Sequence, residues 1–146
     1  MRALTRMIAA AVLAVAAVFV GATPQSGAQG MQILMVPSAA MGRSIPVAFQ
    51  GGGPHAVVLL DAFNAGPDVS NWVTAGNAMN TLAGSGISVA APAGGAWSMY
   101  TNWEQDGSKQ WETFLADELP NYLAATQGLA PGGHGIVGAA QGGTGA

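Results

Sequence analysis

Residues 135–143 read Gly-Ile-Val-Gly-Ala-Ala-Gln-Gly-Gly. Gly135-Ile136-Val137 is a short apolar run of strand type. Glycines then stand two before and two after Ala140, at 138 and 142. That is the G-x-Nu-x-G spacing of a nucleophile elbow, a sharp turn from strand into helix. The spacing has a steric cause. The central backbone is strained so that its side chain stands free above the sheet, and the flanking glycines come too close to tolerate a Cβ. Here the central residue is alanine. It has no proton to give up and no atom that could form an acyl-enzyme. The turn would still offer backbone N–H groups at Gln141 and in the loop after Leu59-Leu60, the two positions that make an oxyanion hole. Among 22 glycines the spacing alone is weak, and the strand in front of it gives it weight.

Working back from the elbow, the pattern is one of short strands alternating with helices. Residues 31–36 (MQILMV) and 45–49 (IPVAF) read as an antiparallel opening pair around Pro37 to Gly42. Ala56-Val57-Val58-Leu59-Leu60 and Ile87-Ser88-Val89-Ala90-Ala91 are strand-length apolar runs, suited to a parallel sheet buried on both faces. Residues 68–82 pass from irregular structure into a helix. Residues 109–125 give the best helix, with Trp111, Phe114, Leu115, Leu119, Tyr122 and Leu123 at helical spacing. Pro120 should kink it by removing one backbone donor. The order β-β-β-α-β-α-β is an α/β pattern. His55 and His134 are read as isolated surface turn residues, so no metal site is expected and no cofactor is implied.

The amino terminus has the layout of a secretory signal. Arg2 and Arg6 precede an almost unbroken apolar run from Met7 to Val20, and Ser26-Gly27-Ala28 is a small-x-small cleavage site. The run is short of the ~20 residues that span a bilayer, which favours a cleaved leader over a retained anchor. Residues 1–28 are therefore assigned to the leader, 29–146 to the folded domain, and the product to the outside of the cell. Without the leader, two basic residues, Arg43 and Lys109, face seven acidic ones, a net charge of −5. That balance argues against nucleic acid, which needs a basic patch. Cysteine is absent, so the domain must be held by its core alone.

Taken together, LMVPSAAMGRSIPVAF (34–49), VVLLDAFNAG (57–66), GISVAAPAGG (86–95), SMYTNWE (98–104), KQWETFLADELPNYL (109–123) and VGAAQGG (137–143) resemble the mycobacterial antigen 85 complex. That family consists of secreted mycolyltransferases with an α/β-hydrolase fold. LLDAFNAG and GAAQGG are most similar to its non-catalytic MPT/MPB-type branch. The resemblance implies the amino-terminal half of the central, mostly parallel sheet, ending just after the elbow, with the triad acid and histidine belonging to the half beyond. An exposed apolar sheet edge and a poorly soluble or partly folded product follow from that.

By the same resemblance Ala140 stands at the nucleophile position, and Phe63 and Gln141 stand where the oxyanion donors lie. Asp61 matches a trehalose-contacting aspartate. Asn64 replaces an arginine of that sugar site, losing a rigid five-donor fork. The family also binds fibronectin through a region near residues 77–89, but no contacts carry over. Trp97 and Trp103, in a loop, are candidates for sugar stacking, although most tryptophans in small domains pack inside. Ser98 and Thr144 read as ordinary loop or helix residues. The leading expectation is a secreted, non-catalytic protein binding cell-wall carbohydrate or glycolipid, or a host matrix protein such as fibronectin. An active acyltransferase or esterase transferring mycolyl groups to trehalose or arabinogalactan is the runner-up, and a degenerate truncated remnant the third reading.

Overall fold

Alternation along the strands decides how the chain layers. In a computed structural model that describes residues 30–146, β3 (Ala56–Leu60) sends Val58 and Leu60 to one face and Leu59 to the other. β4 (Ser88–Pro92) likewise divides Ala90 from Val89 and Ala91, and it is buried along its whole length. A strand with apolar residues on both sides needs a layer on each. The larger layer is α3 (Trp111–Thr113) and α4 (Leu119–Gln127) with the turn that joins them, in which Trp111, Phe114, Leu119 and Leu123 are almost fully buried. The smaller is α1 (Asn71–Thr74) with α2 (Ala78–Leu82), which contributes Ala78 and Met79. The expected leader, residues 1–28, lies outside the described residues, so its assignment has no structural counterpart here.

The sheet is completed by β1 (Gln32–Ser38), β2 (Arg43–Gln50) and β5 (Gly135–Gly138), in the order β1-β2-β4-β3-β5. The first two contacts are antiparallel and the last two parallel. This is an α/β-hydrolase arrangement, with β5 leading into α5 (Gln141–Thr144). Ile136 and Val137 of β5 are 42% and 45% exposed. An apolar groove of about 370 Å³ runs beside Val137, between Leu59, Trp72, Leu82 and Ile87. No helix of the described residues is long and apolar enough to cross a membrane.

Two expectations gain detail. Just before Pro120, where a kink is expected, α3 and α4 are joined by a π-helical turn, Phe114–Glu118. Its Leu119 N–H donates to the Phe114 carbonyl five residues back, and the widened turn carries the backbone past a residue that has no donor and crowds the preceding turn. The two histidines are not isolated. Parallel pairing of β3 with β5 sets the residues preceding each strand side by side. Their rings meet edge to face with centroids 6.1 Å apart. His134 Nδ1 accepts the Ala56 N–H at 3.0 Å, which extends the β3–β5 contact by one bond.

Candidate functional site

The site is built where β3, β4 and β5 end. Ala140 sits between β5 and α5 with φ 51° and ψ −119°, a backbone that residues with a Cβ rarely adopt. The two glycines are explained by their neighbours. A Cβ on Gly138 would fall within 3 Å of the Gly142 carbonyl, and one on Gly142 would do the same to the Leu60 carbonyl. The turn is thus wedged against the end of β3. What stands on its apex is a methyl group, exposed to solvent.

Gln141 is the first residue of α5, so its N–H has no partner within that helix. Its side chain does something the motif does not predict. It is 1% exposed, its Nε2 donates to the Gly95 carbonyl at 2.9 Å, and its Oε1 accepts the Met99 N–H at 3.2 Å. One amide therefore ties the elbow to the loop that follows β4. That loop holds three non-glycine residues at positive φ, Trp97, Met99 and Tyr100. Ser98 Oγ adds a local bond to the Gly95 carbonyl and accepts the Tyr100 N–H.

Asp61 directly follows β3 and is 1% exposed. Its Oδ1 accepts the Ser70 hydroxyl at 2.8 Å and the Asn71 N–H at 2.9 Å, while its own N–H donates to the Tyr100 hydroxyl at 2.8 Å. Ser70 in turn caps α1 by accepting the Trp72 N–H, and the Trp72 indole donates to the Leu60 carbonyl. The Asp61 Oδ2 atom is buried with no partner among the described residues. Burial pushes the Asp61 carboxyl above its ordinary value, against the pull of Ser70 and the Asn71 and Trp72 amides. Burial also pushes the Tyr100 phenol up.

A pKa raised on folding means that the folded state holds its proton longer than the unfolded chain does. The stability this gives is fully present below the unfolded value and is lost as pH rises through the folded value. Asp61→Asn removes the ionisation. Urea midpoints measured from about pH 4 to about pH 8 should fall more steeply with pH for the wild type than for this variant. Parallel curves would contradict the assignment.

The remaining sequence candidates are placed as follows. Asp61 lines a cleft of about 200 Å³ with Ala62, Asn71, Trp72, Gly76 and Ala139. Phe63 and Asn64 are exposed in the loop after β3. The Phe63 ring lies against Trp97, with centroids 4.8 Å apart. Trp103 lines a different cleft, with Thr101, Asn102, Glu104 and Gln105. Its indole donates to the Ser98 carbonyl, and Lys109 Nζ lies 4.0 Å from its centroid. The structure therefore gathers Asp61, Phe63, Trp97, Gln141 and Ala140 at one end of the sheet and sets Trp103 on a neighbouring surface. Sequence reasoning missed the side chains of Gln141, Tyr100 and Ser70. Tyr100 had a signal, being a tyrosine in a glycine- and aromatic-rich loop. The other two had none. Among the described residues no group of three or more His, Asp or Glu could hold a metal ion.

The strand, strained turn, paired glycines and helix together make a nucleophile-elbow frame with a methyl group at its centre. A family model described as "Putative esterase" matches residues 38–146. The chain belongs to this esterase family. It is 73% identical over 139 residues to the MPT51/MPB51 antigen of Mycobacterium tuberculosis, covering 95% of this chain and 46% of that protein. It is 40% identical over 143 residues to the diacylglycerol acyltransferase/mycolyltransferase Ag85C of Mycobacterium avium, covering 90% and 41%. The crystal structure of Mycobacterium tuberculosis MPT51 (FbpC1) matches at TM-score 0.79 and 80% identity, over 81% of this chain and 44% of that one. These relatives agree with the antigen 85 resemblance read from the motifs. The chain spans less than half the length of the curated relatives it matches.

Proposed function

We propose that this chain is a secreted, non-catalytic binding protein on an esterase scaffold, and that its ligand is a neutral carbohydrate or glycolipid of the cell wall. The observation that carries this reading is Ala140 on an otherwise well-formed elbow. Acyl transfer needs an atom there that can attack a carbonyl and a base to take its proton. Neither described histidine can be that base. His134 precedes β5 and Ala140 follows it, so four strand residues, roughly 13 Å of extended chain, separate them. His55 lies beside His134 at that same far end. The frame that remains can hold a ligand but cannot form a covalent intermediate with it.

A second reading, acyl transfer, is favoured by the 40% identity to a protein named a diacylglycerol acyltransferase/mycolyltransferase. Hydrolysis of p-nitrophenyl butyrate separates the two. The wild-type chain is expected to match the buffer rate, and Ala140→Ser is expected to match it as well, because neither described histidine reaches residue 140 and an unassisted serine is a poor nucleophile at neutral pH. Turnover by the wild type that disappears on removing a nearby hydroxyl would establish catalysis instead.

A further inference from the structure

β1 stands at one end of the sheet and, among the described residues, pairs only with β2. Alternation sends its Leu34 and Val36 into the core beneath α3 and α4, and Gln32 on that side reaches Gln127. The residues between them face the other way. Met31, Ile33 and Met35 are 45%, 42% and 55% exposed. Opposite Ile33 across the ladder is Ala48, which is buried together with Met79 of α2. The cover given by α1 and α2 thus extends over β2 and stops short of β1. Three large apolar side chains form a bare stripe on the outermost strand.

An edge of this kind is normally protected. Charged side chains, proline or a bulge keep the free N–H and C=O groups from pairing with another chain. Residues 30–36 carry no charge, and β1 follows β2 through seven consecutive pairs without a bulge. Pro37 lacks an N–H and closes the open stretch at one end only.

The stripe also reads the same in both directions. Met31, Ile33 and Met35 are symmetric about Ile33, two residues to either side. A second copy of the strand, antiparallel and turned about a two-fold axis at Ile33, sets Met31 against the partner's Met35 and Ile33 against the partner's Ile33. A slip of one residue would put the two stripes on opposite faces of the joined sheet. In the symmetric register the paired stretch runs from 31 to 35 in each copy, and Pro37 lies beyond it. No charge falls inside that stretch, so the copies meet without like-charge repulsion. A different protein would have to supply this match, whereas a second copy has it built in.

We propose that β1 is a self-association edge, through which two copies of this chain pair antiparallel about a two-fold axis at Ile33. The contact is isologous and joins two five-stranded sheets into one. Three half-exposed side chains fall well short of the ~800 Å² per partner of a stable complex, so the dimer is weak, dissociating in the range of about 10 to 100 µM.

Sedimentation velocity of the full chain from about 5 to about 500 µM tests this, and a shift from monomer to dimer is expected across that range. Ile33→Lys sets two ammonium groups opposite each other and should raise the dissociation constant at least tenfold. Met35→Lys should also raise it. Val137→Lys, on β5 at the opposite edge of the sheet, should leave the dimer unchanged. Far-ultraviolet circular dichroism checks that each variant is folded. The chain has no cysteine, so Ile33→Cys gives a second measurement. Directly opposed Cα atoms of an antiparallel ladder lie ~4.5–5.5 Å apart, within disulfide reach. Diamide should therefore link Ile33→Cys into covalent dimers much faster than Val137→Cys. A chain that stays monomeric throughout, or a dimer that both lysine variants on β1 leave intact, overturns the proposal. A dimer lost in Val137→Lys instead, or association that runs past the dimer, overturns it too. Equal cross-linking at 33 and 137 overturns the two-fold register.

Discussion

Gly142→Ala is expected to cost about 3 kcal/mol or more, the upper range for overpacking where nothing can yield. The added methyl would meet the carbonyl carbon and oxygen of Leu60 and come within 3.0 Å of the Asp61 carbonyl oxygen. All of these are main-chain atoms at the end of β3, a strand paired on both sides. They can move only if β3 leaves the sheet or the elbow lifts away from it. Lifting the elbow also pulls the Gln141 amide off Gly95 and Met99, so the strained loop should relax at the same time. Gly143→Ala provides the contrast. Its methyl would find the Gly138 carbonyl oxygen at 3.5 Å, an ordinary contact, so this change should stay within about 1 kcal/mol of the wild type. Urea denaturation followed by circular dichroism measures both. Similar midpoints for the two variants would show that the elbow is not wedged against β3.

That contrast marks what could be read from residue order and what could not. The strand Ala56 to Leu60 was legible to the residue because its neighbours, Gly51 to Pro54 on one side and Asp61 on the other, cannot continue an apolar run. The second buried strand was read one residue early. Ile87 is apolar by composition but 45% exposed, and the strand begins at Ser88. The elbow was visible because steric crowding writes itself as glycine at fixed offsets. Other features depend on segments distant in sequence. His55 and His134 are brought together by the parallel register of β3 and β5. The Gln141 clamp spans 42 and 46 positions, and the Phe63–Trp97 pair joins two loops. No local periodicity encodes such meetings. The π-helical turn was half legible. Pro120 announced a disturbance, but whether a helix kinks or widens is decided by what packs on it, and here Phe114 and Leu115 are buried through the turn.

Trp111→Ala should remove about 3 to 5 kcal/mol, the range for deleting a buried aromatic ring. The ring is 1% exposed and stands edge to face with both Tyr100 and Phe114, at 5.4 Å and 5.6 Å between centroids. It is the contact through which α3 reaches the site, because Tyr100 accepts the N–H of Asp61 at the end of β3. Its loss leaves a cavity beside the phenol, and a domain of this size has about 5 to 15 kcal/mol in all, so the variant stands near its unfolding threshold. Trp111→Phe keeps one of the two rings and should recover at least half of the loss. The site should respond before the fold does. Tyr100 at positive φ is held by packing on one side and by Ser98 on the other, so removing the packing frees the loop that presents Trp97. At low urea the near-ultraviolet signal of the exposed indole should therefore collapse ahead of the far-ultraviolet transition in Trp111→Ala, and with it in the wild type. Coincident transitions in the variant would mean that the loop is held by the Gln141 amide, Ser98 and the Trp103 indole without Trp111, and that α3 stabilises the sheet without shaping the site.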